Sequence, residues 1–125
     1  MAQSLDHRPY VLVVEDEPLI LLHAIQLVEE AGLSAKPASN ADQAIAILEA
    51  RSDIRIVFTD IDMPGSMDGL KLAEAIRRRW PPIELVLTSG HVNIKQADVP
   101  DRARFFPKPY NDAQLKGVLQ GFAAS

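Results

Sequence analysis

The 125-residue sequence contains no cysteine. That absence removes a disulfide framework, a thiolate metal site and a cysteine nucleophile together, and it accords with a reducing compartment. An excess of basic residues is also missing, since 13 Lys and Arg against 17 Asp and Glu leave a net charge of −4. With no positive surface to meet phosphates, direct nucleic-acid binding is not expected. There is no long hydrophobic run either. The most apolar stretch, VLVVEDEPLILL, is broken by Glu15, Asp16 and Glu17, and the N-terminal MAQSLDHRP has no apolar core. Neither segment suits a membrane span or a signal peptide, so a cytoplasmic location and no membrane partner are expected. No GxxxxGK[ST] segment occurs, which excludes a P-loop nucleotide site. Repeats, low-complexity tracts and linkers are lacking too, and residues 1–125 are expected to form one domain.

What is present is a β-rich run followed by a helical stretch, five times over. The strands read as YVLVV (10–14), LSAKPA (33–38), IRIVFT (54–59), IELVLT (83–88) and ARFF (103–106). The three cleanest are near-continuous Val, Ile, Leu or Phe, as parallel strands covered on both faces require. Between them, Pro18 opens a helix with Ile20, Ala24, Leu27, Val28 and Ala31 at helical spacing before Gly32. Asn40 suits the N-cap of ADQAIAILEA, with Ala44, Ile45 and Leu48 inward. Leu72, Ala73, Ile76 and Trp80 form a third stripe, stopped by Pro81 and Pro82. Asn111 or Asp112 caps a last helix whose stripe is Leu115, Val118, Leu119 and Phe122. Residues 91–99 are the least helix-like stretch, with Val92, Ile94, Ala97 and Val99 as the available anchors.

Alternating βα units imply an α/β fold with a parallel sheet and right-handed crossovers. Proline lacks an N–H and is confined to edge strands, strand ends or bulges. Pro37 in the second strand and Pro107 at the end of the fifth therefore mark those two as edges. The resulting order, 2-1-3-4-5, is that of a flavodoxin-like doubly wound sheet with helices on both faces. Its ligands sit beyond the C-terminal ends of the central strands. Those ends carry Glu15-Asp16, Asp60, Thr88-Ser89 and Lys108-Pro109. Converging carboxylates repel and call for a cation, and oxygen ligands without His or Cys favour a hard one such as Mg2+. A lysine and a hydroxyl opposite suit the charged oxygens of a phosphoryl group. The chemistry indicated is phosphoryl transfer to a carboxylate.

Taken in order, VLVVEDEP, TDIDMPGSMDG, LTSG and FFPKPY make the chain, over essentially its whole length, resemble the receiver domains of two-component signalling. The resemblance implies that Asp60 is the phosphoacceptor. Asp16, Asp60 and the backbone carbonyl of Asp62 would hold Mg2+, with Glu15 acting indirectly. Thr88 and Lys108 would bind the phosphoryl group, Phe105 would be the switch aromatic, and the Lys108–Pro109 bond would be cis. The partners implied are a histidine kinase or histidine phosphotransfer protein and an unidentified downstream protein, or else the domain is a phosphate sink. It would act as a signalling module, stand-alone or excised from a larger regulator, and not as a turnover enzyme. Two departures stand out: the loop after Asp60 is one residue longer than the usual MPxMDG, and Phe105 lacks the tyrosine hydroxyl often found there.

Other features carry blander expectations. Arg77-Arg78-Arg79 reads as a solvated run at a helix C-terminus. His91 reads as a surface histidine, and His7 and His23 have no ligand context. Leu19 and Leu22 exceed what one buried helix face needs, and an exposed apolar residue there is either unremarkable or a kinase-docking contact. From another functional class, Asp60-Ile61-Asp62 has the D-x-D spacing of haloacid-dehalogenase-type phosphatases. In those enzymes, however, the motif follows the first strand and a cap domain shapes the pocket. A flavin-mononucleotide module would want a Gly- and hydroxyl-rich loop where this chain has the anionic EDEP.

Overall fold

A computed structural model describes residues 9–63, 68–91 and 93–124. Five strands, β1 (Tyr10–Val14), β2 (Ser34–Ala38), β3 (Ile54–Asp60), β4 (Glu84–Ser89) and β5 (Arg104–Pro107), form one sheet. It is parallel throughout, in the order β2-β1-β3-β4-β5. Both proline-bearing strands are edges, where a missing N–H breaks no ladder bond. The central strands β1, β3 and β4 are buried along almost their whole length.

Four helices cover the sheet: α1 (Pro18–Glu30), α2 (Ala41–Ala50), α3 (Gly69–Arg79) and α4 (Asp112–Ala124). α1 and α4 lie over Val11, Val13, Ile56, Phe58 and Val86, while α2 and α3 cover Leu12, Val14, Val57, Leu85 and Leu87. Strand alternation thus sends neighbouring residues into two cores. Among the described residues no helix is long and apolar enough to cross a membrane.

Local signals set the helix ends. Pro18 occupies the first turn of α1, and Gly32, at φ 87°, takes the left-handed conformation that ends it. Asn40 Oδ1 accepts from the Gln43 amide (2.8 Å) at α2. Asn111 Oδ1 accepts from the Gln114 amide (2.9 Å) at α4, which settles the choice between Asn111 and Asp112. Asp68 caps α3 by accepting from the Lys71 amide. Gly69 follows at a close approach: a Cβ there would meet the Asp60 carbonyl and lie 2.7 Å from Ile61 Cα. α3 therefore starts directly against the end of β3.

Three expectations need correction. The arginine run is not uniformly solvated. Arg77 is half-buried and donates to the carbonyls of Asp101 (2.9 Å), Pro81 and Ile83 (both 2.8 Å), tying α3 to two loops. Arg79 pairs with Glu49 at 2.7 Å and stacks on Trp80, while Arg78 is exposed. Ile20 is not packed into the core under α1: it is 39% exposed and borders the cavity at the end of the sheet beside Glu15 and Asp60. In residues 91–99 the described part forms a single 3-10 turn, Gln96–Asp98, in place of a fifth α-helix. There Ile94 and Val99 pack on the core and Ala97 is exposed. Val92 lies outside the described residues.

Candidate functional site

The C-terminal ends of β1, β3, β4 and β5 bring together the side chains that the sequence singled out. Asp60, the last residue of β3, is 6% exposed and sits in register with Thr88 of β4, itself buried. Lys108 Nζ donates to Asp60 Oδ2 at 2.8 Å. The lysine is positioned by its own backbone, whose amide donates to the Ser89 carbonyl (2.8 Å), and the Lys108–Pro109 bond that follows is cis. Asp60 Oδ1 accepts from the Asp62 amide at 3.0 Å.

Glu15, directly after β1, is 5% exposed. Its Oε2 accepts from the Glu17 amide (3.1 Å) and its Oε1 lies 4.0 Å from Lys108 Nζ. Burial, the charge of Asp60 and a hydrogen bond with Asp16 push Glu15 up to about 7, against the pull of the Glu17 amide and Lys108. Acid groups thus crowd one lysine, which is the electrostatic setting that favours a further cation. Asp16 is exposed beside them. Among the described residues no three His, Asp or Glu side chains are arranged to hold a metal ion by themselves. Two carboxylates and a carbonyl, completed by water, are nevertheless a donor set that suits Mg2+.

The Asp62 side chain turns away from Asp60. Its carboxylate accepts from Ser89 Oγ (3.0 Å) and the Gly90 amide (2.9 Å), and His91 Nε2 lies 3.4 Å from it. His91 is exposed, as expected, yet leans on this group. Phe105 is half-buried on the α2/α3 side with Ile94 and Val99, outside the acid cluster.

Two residues escaped the reading of the sequence. Tyr110 lines a small cavity with Glu15, Asp60, Thr88 and Lys108, and its ring meets Phe58 edge-on at 6.3 Å. Burial and the charges of Asp112, Glu15 and Asp60 push its phenol up to about 12. Its position two residues after Lys108 was the available signal. Gln96, in the 3-10 turn, gave none. A larger hollow of about 590 Å3 at the opposite end of the sheet contains Arg51 and Arg79. Both are already paired, with Asp53 and Glu49, and far from the acids, so the small cavity is the candidate site.

Comparison with known proteins bears on this geometry. A 38% identical relative, the nitrogen assimilation regulatory protein NtrX of Azorhizobium caulinodans, aligns over 88% of this chain and 25% of its own length. The chain spans about a quarter of the length of such curated relatives. A response regulator receiver protein from Sinorhizobium medicae superposes with a TM-score of 0.84 at 28% identity, covering 95% of this chain and 97% of that one. Response regulator TrrA of Thermotoga maritima, solved in complex with Mg(2+)-BeF, shares the fold with a TM-score of 0.77 at 24% identity, covering 91% and 98%. The model of the response regulator receiver domain matches residues 11–120. That span holds Glu15, Asp60, Thr88 and Lys108 together with the sheet that gathers them, and the chain belongs to the response regulator receiver domain family.

Proposed function

We propose that this domain accepts one phosphoryl group on Asp60 from the phosphohistidine of a histidine kinase or phosphotransfer protein. The observation that carries the reading is a buried Asp60 held 2.8 Å from Lys108 Nζ and in register with Thr88. An Asp60 carboxylate oxygen attacks phosphorus, a P–O bond forms and the P–N bond to the donor imidazole breaks. Lys108 moves its charge from the carboxylate to a phosphoryl oxygen, and the Thr88 hydroxyl donates to another. The Asp62 amide keeps the acceptor carboxylate oriented. Asp16, Asp60 and the Asp62 carbonyl would hold Mg2+, with Glu15 acting indirectly. When bound, the cation neutralises the crowded carboxylates and the incoming phosphoryl oxygens.

Output passes to a protein partner through the repacking of residues 93–99 and Phe105, or the domain serves as a phosphate sink. The phosphatase alternative finds no support in the site, because the second Asp of the D-x-D motif, Asp62, spends its carboxylate on Ser89 and Gly90. Incubation with acetyl phosphate and Mg2+ tests the assignment. Intact mass is expected to rise by one phosphoryl group, labile to alkali, and Asp60→Asn to abolish the gain. An Asn variant modified as fully as the wild type would refute it.

A further inference from the structure

We propose that Gln96 is a positioning residue that joins the segment after β4 to β5, so that a displacement at Thr88 reaches Phe105. The proposal rests on the reading of Asp60 as the phosphoacceptor. β5 is an edge strand, and residues alternate between its two sides. The Lys108 amide points to β4, where it meets the Ser89 carbonyl. Phe105 and Ala103 therefore present their backbone groups to the outer edge. There the Gln96 side chain meets both: Nε2 donates to the Ala103 carbonyl (2.6 Å) and Oε1 accepts from the Phe105 amide (3.0 Å). One side-chain amide thus does what a residue of a sixth strand would do.

The rest of the segment is thinly held. Asn93, Lys95, Gln96, Ala97 and Asp98 are exposed, and Ile94 and Val99 alone among its described residues pack on the core. One of its ends continues from Thr88, Ser89 and Gly90, so it moves with the end of β4. Its other end runs through residues 100–102 into β5, where the Ala103 amide donates to the Pro100 carbonyl (3.1 Å), and Gln96 adds a shorter link, directly on the backbone of the half-buried Phe105. With the Gln96 link the segment and the backbone of Phe105 move together; without it a movement reaches β5 only through the turn at residues 100–103 and is damped before Phe105.

Residue-resolved hydrogen exchange on the 125-residue chain, with and without beryllofluoride and Mg2+, tests this. Gln96→Met keeps the length of the side chain and removes the amide. Without ligand, the Phe105 amide should exchange about tenfold faster in Gln96→Met than in the wild type. With beryllofluoride, the wild type should respond at residues 88–90 and at Phe105. Gln96→Met should keep the first response and lose the second, which a purely structural tether would leave in place. Gln96→Glu, which retains an acceptor for the Phe105 amide but no donor for Ala103, should fall between the two. An unchanged Phe105 exchange rate, or an undiminished Phe105 response in Gln96→Met, overturns the role of Gln96 and leaves Asp60 untouched. A wild type silent at residues 88–90 overturns the Asp60 reading, and the relay with it.

Discussion

Asp60 and Lys108 are bound to each other with nothing between them, and Glu15 lies 4.0 Å from the same lysine. Removing that cation leaves two buried carboxylates facing each other. Lys108→Ala should therefore cost about 2 kcal/mol of stability in a urea titration without divalent cations. Its Mg2+ affinity should be equal to or higher than that of the wild type, because a competing charge is gone. Asp16→Asn should do the opposite, weakening Mg2+ binding and slowing acetyl phosphate labelling while leaving stability near that of the wild type. Equal loss of Mg2+ by both variants in a calorimetric titration would contradict this division of labour between the two side chains.

Among the elements, α3 bears most directly on the site, since its first residue lies against the carbonyl of Asp60. Gly69→Ala should cost more than about 2 kcal/mol and slow phosphorylation, because α3 or the end of β3 must shift to admit the methyl group. Gly117→Ala, within α4 where a Cβ meets nothing within 4 Å, should instead stabilise by about 0.5–1 kcal/mol. Thermal denaturation of both variants checks the contrast. The strands, the cap at Asn40 and the two edges were legible because each depends on local pattern or on what proline cannot do. The acid cluster was legible because parallel strands deliver their C-terminal ends to one place. Arg77 was not, since its partners are backbone carbonyls 4, 6 and 24 residues away, and a carbonyl leaves no mark in a sequence. Gln96 escaped for the same reason. The turn of the Asp62 carboxylate toward Ser89 depends on how β3 and β4 end side by side, which residue types alone do not specify.

At the scale of the whole molecule, the exposed apolar residues Leu19 (79%) and Leu22 (53%) stand on the first turns of α1, above the same sheet end as the acids. A kinase that covers them would bring its phosphohistidine to Asp60. Leu19→Asp combined with Leu22→Asp should slow transfer from a histidine kinase that labels the wild type by about tenfold. Labelling by acetyl phosphate, which needs no docking, should be unchanged, and an equal loss with both donors would point to damage at the site itself.

The sheet is also unequally roofed: helices lie over β1 and β3 on both faces, whereas beside β5 the α2/α3 side has one 3-10 turn and two half-buried aliphatic residues. Local opening is cheapest where the cover is thinnest. Under heat or denaturant this margin should loosen while Asp60, Lys108 and the central strands still hold their arrangement. On the proposed reading of Asp60, a molecule in that condition would still take up phosphate but would have no ordered surface to show for it. Damage at this margin would then silence the proposed signal and not lock it on.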